Sequence, residues 1–198
     1  VLLNFSRARY ASNRSQPEAP VYWALLLESL ALGGVVPRAQ VSGPAGPLYQ
    51  LEVASFRDGP VEYVGFLKYR VSAAEPAVTA RVTFGDAAFT YDVRAGKPLG
   101  NVDQFETPFQ PDRARLYCRL PYSVRRIAVD AADARDKRGD PVRLGLSLET
   151  AGRTVPGRHW FHLDVAGPDG APLLHYAQNV PVVDGKGSAL IPLAFNNP

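Results

Sequence analysis

The sequence predicts a mainly β protein, an antiparallel β-sandwich, and three observations carry that expectation. Beyond residue 42, apolar residues alternate in short segments about 8–12 residues apart, the cadence of a sandwich or barrel. Turn-forming clusters such as Arg57-Asp58-Gly59, Pro168-Asp169-Gly170 and Asp184-Gly185-Lys186-Gly187 separate those segments. Helical spacing of useful length is confined to the first forty residues.

The elements follow in order. Val1-Leu2-Leu3-Asn4-Phe5 is a continuous apolar run, expected as a strand covered on both faces. A polar stretch leads to Pro17-Glu18-Ala19-Pro20, a helix start, and apolar residues from Tyr22 to Leu32 give that helix a wide buried face. Gly33-Gly34 stops it, Pro37 follows, and residues 35–41 read as a short edge strand. Residues 1–42 are thus a remnant of an α/β domain, too small to fold alone. Ser42-Gly43-Pro44-Ala45-Gly46-Pro47 reads as a linker.

A first β-sandwich is expected over residues 48–131, opening with a hairpin of 48–56 and 61–71. Strands at 77–84 and 88–93 flank a turn at Gly85-Asp86, and strands at 114–120 and 123–130 complete the unit. Residues 131–141 form a second division. An immunoglobulin-like sandwich follows over 142–198, with strands at 142–150, 159–166, 173–183 and 188–195. Pro181 and Pro192 predict edge strands or bulges, because proline cannot donate to a ladder. The apolar ends, Val1–Phe5 and Ser188–Phe195, predict that neighbouring sequence completes both the remnant and an otherwise incomplete last sandwich.

Composition narrows the function classes. The chain of 198 residues carries a net charge of +3, and four of its 22 cationic side chains are Lys, the rest Arg. They are scattered, and the densest group, Arg135 to Asp140, is interrupted by acids. A nucleic-acid footprint would be a one-sided stripe, so nucleic acid is not an expected partner. No apolar run reaches the roughly 20 residues of a membrane span. The single Cys118 excludes an intrachain disulfide and reads as a small buried hydrophobe.

His159 and His162 are three apart in a strand and point to opposite faces, which disfavours a shared metal. A tight turn centred between Asp169 and Gly170 would set His175 opposite Asp164 and His162 opposite Ala177, a structural pairing. Trp160 with Tyr49, Tyr63, Tyr69, Tyr91, Tyr117 and Tyr122 could form a sugar platform, but their spread over many strands favours core and rim packing. Glu52 and Glu62 flank a hairpin turn and read as solvent-facing carboxylates rather than an acid–nucleophile pair. Gly96, Gly100, Gly170 and Gly185 read as turn glycines needing positive φ. No residue is assigned a catalytic, cofactor-binding or metal-binding role, and no cofactor is expected.

Laid in order, these segments resemble the C-terminal region of bacterial β-galactosidase-like glycoside hydrolases of the family forty-two type. Leu2-Leu3-Asn4-Phe5-Ser6, Tyr22-Trp23-Ala24-Leu25-Leu26-Leu27 and Gly33-Gly34-Val35 look like the last strand and helix of the flavodoxin-like trimerisation domain of such enzymes. Phe56-Arg57-Asp58-Gly59 with Tyr63-Val64-Gly65-Phe66-Leu67 looks like the first hairpin of the sandwich that follows it. Tyr91–Lys97 and Leu120-Pro121-Tyr122 resemble segments of uncharacterised relatives. Gly157-Arg158-His159 through Pro168-Asp169-Gly170 is similar to macroglobulin-like and other secreted immunoglobulin-like modules. The resemblance implies a bacterial carbohydrate-active parent whose catalytic Glu residues lie in a barrel outside this chain, so no catalytic residue carries over.

The expected function is therefore a non-catalytic, structural or accessory β-sandwich region of a multidomain carbohydrate-active protein. Its expected partners are other domains of the parent chain or further copies of itself. The alternative is a stand-alone extracellular module that binds glycan or protein.

Overall fold

A computed structural model describes residues 19–48, 51–70, 74–131, 141–152 and 154–192. The expected strand at residues 1–5, Tyr49, the Arg135 cluster and the end of the last expected strand lie outside these residues. The protein is mainly β, with antiparallel strands in two curled sheets. Contacts divide it into two compact units, one comprising Val1–Phe56 with Tyr63–Arg119, the other Arg57–Glu62 with Leu120–Pro198.

The single α-helix among the described residues, α1, spans Ala19–Leu32. Leu30 accepts from the Val35 amide at 3.0 Å while Ala31 accepts from the Gly34 amide at 2.9 Å. Gly34 sits at φ 77° between these two bonds, so a residue without Cβ is needed where the helix stops.

The sheet of the first unit comprises β1 (Ala39–Gly43), β2 (Gly46–Pro47), β3 (Leu51–Asp58), β4 (Val61–Lys68), β5 (Val78–Asp92), β6 (Lys97–Phe109) and β7 (Ala114–Leu120). Its order is β2-β1-β5-β7-β4-β3, with β6 also on β5. The segment expected to be a linker is a hairpin instead: Ser42 pairs with Pro47 and Gly43 with Gly46. Short Gly/Pro runs serve tight turns as well as linkers.

The expected turn at Gly85-Asp86 is a bulge within one long strand. Thr83 pairs with Gln104 and Ala88 with Val102, so β5 carries three more residues than β6 across that step. Sequence reading missed β6 altogether, because Pro98, Gly100 and Pro108 interrupt its alternation. A second register shift, at Thr90/Tyr91, lies beside Gly100 at φ 93°, which makes Gly100 a bulge glycine rather than a turn glycine. Gly96, Gly170 and Gly185 do take positive φ at turns.

The core of this unit joins Val64 and Phe66 from β4, Val82 and Phe84 from β5, Phe109 from β6 and Tyr117 from β7. Phe66 meets Phe109 and Tyr117 edge-on at centroid distances of 5.7 and 5.9 Å. Burying one such aromatic side chain contributes roughly 2–3 kcal/mol.

The second sheet holds β8 (Ser123–Ala131), β9 (Val142–Ala151), β10 (Arg158–Leu163), β11 (Gln178–Val183) and β12 (Lys186–Ile191), in the order β10-β11-β12-β9-β8. β8 and β9, on either side of residues 132–140, pair with each other. Pro181 occupies an interior strand opposite Trp160, contrary to the edge expectation; β10 beside it is a short edge strand and only one N–H is lost. Leu146, Leu148, Val180, Val182 and Ala189 form the core here.

Candidate functional site

Electrostatics in the first unit centre on the β5 bulge. Arg119 is 1% exposed, and its Cζ lies 3.8 Å from the Phe84 ring centroid. Its Nη2 donates to the Asp86 backbone carbonyl at 2.6 Å, and its Nη1 lies 3.4 Å from the Asp86 carboxylate. Arg38 reaches the same carboxylate oxygen at 2.8 Å. Burial opposes ionisation of Asp86, but the Arg38 hydrogen bond and the charges of Arg119 and Arg38 outweigh it and hold the carboxyl below its ordinary value. A carboxylate held by two guanidinium groups stays ionised, so it is not a proton donor.

Several other acids are also bound to partners. On β4, Glu62 and Lys68 share the inward-facing set with Val64 and Phe66 and are 6% and 1% exposed. Glu62 lies 3.6 Å from Arg57, and Lys68 is paired with Glu75. The solvent-facing expectation is thus corrected for Glu62. Alternation fixes its face, and the charge is accommodated by Arg57. Glu52 is exposed and accepts from the Tyr69 hydroxyl. Arg70 holds Asp112 at 2.6 Å and Arg81 holds Glu106 at 3.2 Å. Cys118 is half-buried, and desolvation pushes its thiol up to about 12, which removes the thiolate needed for nucleophilic work.

The three histidines are distributed as separate structural groups. His159 and His162 do face opposite sides of β10. His159 Nε2 lies 2.7 Å from the Tyr122 hydroxyl and 3.1 Å from the Pro156 carbonyl, while Tyr122 itself donates to that carbonyl. Burial lowers the His159 pKa, partly offset by the Pro156 carbonyl and Asp58.

The expected pairings of His162 with Ala177 and His175 with Asp164 are both corrected. His162 lies opposite Asn179, because Leu174–Tyr176 form a 3-10 turn that lengthens the returning chain. His162 Nδ1 is 2.8 Å from Asn179 Oδ1 and its Nε2 is 3.1 Å from Asp164 Oδ1. The Asn179 hydrogen bond, then the Asp164 charge, raise its pKa. His175 packs on Tyr176 at a centroid distance of 4.0 Å. Among the described residues no group of three His, Cys, Asp or Glu side chains could hold a metal.

The tyrosines are mostly packing residues, with Tyr117, Tyr122 and Tyr176 buried and Tyr63 stacked on Phe56 at 5.0 Å. Trp160 differs, being 62% exposed on the outer face of the edge strand β10.

The surface also carries unusual apolar area. Glu28 and Ser29 are the only polar residues of α1, and Val21, Leu25 and Leu32 are 70%, 51% and 82% exposed. A helix that is apolar all round is ordinarily a buried one. At about 1.5 Å per residue it is too short for a bilayer core, and no described helix is long and apolar enough to cross a membrane. On β8, Ile127 and Val129 pair with the core residues Leu148 and Leu146, share their face, and are still exposed.

Fold and surface together define a mainly β protein of two compact units. No family model, no curated protein and no solved structure matches this chain.

Proposed function

We propose that this chain is a non-catalytic accessory module of a multidomain carbohydrate-active protein, and that it docks other domains of that protein through α1. The observation that carries the docking role is the exposure of a helix with apolar residues on every side. Patches of that kind mark interaction surfaces, and the exposed Ile127 and Val129 add a second one at the β8 edge. The non-catalytic role is supported by the acids themselves. Glu62, Glu75, Asp86, Glu106 and Asp112 are each held by an Arg or Lys. The carbohydrate-active parent is supported by the resemblance of residues 2–6, 22–27, 33–35, 56–59 and 63–67 to β-galactosidase-like enzymes.

The test is turnover of nitrophenyl β-galactoside and a panel of related aryl glycosides by the purified chain. The reading requires no turnover above buffer. Turnover that disappears in Glu52→Gln, with the fold intact, would contradict it.

A further inference from the structure

The second sheet ends at β8, with no strand on its far side among the described residues. Such an edge offers a row of N–H and C=O groups to any extended chain. Proteins ordinarily blunt it with proline or with charged side chains on the core face. From Arg126 to Ala131 the strand has no proline, and its core-facing residues are Ile127, Val129 and Ala131. Ile127 and Val129 are 59% and 54% exposed, although their β9 neighbours Leu148 and Leu146 belong to the core.

This edge complements itself. Arg126-Ile127-Ala128-Val129-Asp130 has a cation at one end, an acid at the other and an aliphatic residue on each side of Ala128. Arg126, Ala128 and Asp130 share the outer face, while Ile127 and Val129 share the core face. Two copies laid antiparallel about Ala128 set Arg126 opposite the partner's Asp130 and Ile127 opposite the partner's Val129, each contact made twice. On the core face the row then runs from Leu148 through Ile127 to the partner's Val129 and the partner's Leu146. On the outer face Arg126 comes to lie between Glu149, opposite it on β9, and the partner's Asp130. Asp130 has only Gly145 opposite it on β9, so no side chain there competes for its carboxylate. Arg125, at the β8 bulge, falls opposite the partner's Ala131 and meets no like charge from that strand.

Other registers lose these contacts. A slip by one residue sets core-facing side chains opposite outer-facing ones. Centring on Arg126 or Asp130 brings like charges face to face, which destabilises a strand pair. Centring on Ile127 or Val129 leaves the charges opposite uncharged side chains.

We propose that two copies of this chain pair through β8, antiparallel across a twofold axis at Ala128, and join their five-stranded sheets into one continuous sheet. The pairing rests on the β8 patch being an interaction surface, and it is independent of docking through α1. Five paired residues bury less than the roughly 1,200 Å² at which stable interfaces begin. The pair is therefore populated in concentrated solution, with an apparent Kd of about 0.1–1 mM.

The experiment is sedimentation equilibrium of the full chain carrying Leu25→Lys and Leu32→Lys, so that α1 takes no part. The expected species are monomer and dimer, with nothing larger. Because the axis repeats each contact, Arg126→Asp or Asp130→Arg alone should weaken the dimer about tenfold. Mixing those two variants in equal amounts should restore it, because opposite charges then face each other again. A monomer throughout, species beyond the dimer, unchanged association in both variants or no recovery on mixing would overturn the β8 pairing and leave docking through α1 standing. A second readout is oxidation of Ala128→Cys by oxidised glutathione in the otherwise unsubstituted chain, which should give a disulfide-linked dimer. Ala131→Cys, roughly 20 Å from its copy in this register, should not. Cys118, half-buried, is common to both variants. No linkage through position 128, or equal linkage in both variants, would also overturn the pairing.

Discussion

The guanidinium of Arg119 stacks on the ring of Phe84 while its Nη2 binds the backbone carbonyl of Asp86 two residues further on. One side chain from β7 thereby fixes the face of β5 and the bulge that interrupts it. Cation–π stacking on a desolvated ring contributes up to about 2 kcal/mol, and the bulge carbonyl would otherwise lose a strong donor. Arg119→Ala should destabilise the first unit by about 3 kcal/mol, because it removes the stack, leaves the Asp86 carbonyl without its donor and empties a fully buried site. Urea unfolding followed by tyrosine fluorescence measures this, and a change below about 1 kcal/mol would show that the stack is incidental.

Asp86 and His159 both predict loss of stability in acid, in different windows. The folded-state pKa of Asp86 is depressed, so its contribution is complete above its ordinary value of 3.8 and is lost as pH falls below that through the folded value. His159 is also depressed, from 6.5, so folding favours its neutral ring and stability declines as pH falls below 6.5. His162 is raised and acts oppositely: its contribution is present below 6.5 and is lost as pH rises through its folded value. In a histidine NMR titration, His159 should therefore titrate below 6.5 and His162 above it. The reverse order would contradict the hydrogen bonding described for both rings.

Cys118 should behave as an unreactive thiol. With its pKa pushed up to about 12 by burial, the thiolate fraction at pH 8 is negligible. Disulfide-exchange reagents should label it only once the chain is unfolded in urea. Rapid labelling of the native protein would reveal an accessible thiol and a more open β7.

Replacing Glu62 should affect folding rather than catalysis. It lies 6% exposed and 3.6 Å from Arg57, so Glu62→Gln should lower stability by about 1–2 kcal/mol. Exposed Glu52, replaced by Gln, should change stability by under about 0.5 kcal/mol. Thermal melts of the two variants provide the comparison, and equal effects would undo the distinction drawn from burial.

Alternation and turn chemistry made much of the sheet structure legible. The β7 segment, Ala114–Leu120, matches its expected range, and Gly34, Gly59 and Gly185 mark stops and turns with positive φ. Several of the failures share one cause, which is that irregularities belong to the pairing and leave no periodic trace along the chain. The bulge at Gly85-Asp86 looks like a turn until Arg119, 33 residues away, is seen holding it. The 3-10 turn at Leu174–Tyr176 displaced the pairing inferred for His162. The burial of Glu62 was accessible from its alternation with Val64 and Phe66, but its charge argued the other way.

The most direct test of the docking role is light scattering of the chain after size-exclusion chromatography, with and without Leu25→Lys and Leu32→Lys in α1. Both side chains are at least half exposed on a helix with only Glu28 and Ser29 to interact with water. The account predicts that the unsubstituted chain self-associates as concentration rises and binds a hydrophobic dye, and that the double substitution suppresses both without changing the melting of the sheets. A chain already monomeric and dye-free before substitution, or sheets that melt markedly lower after it, would contradict a docking role for α1.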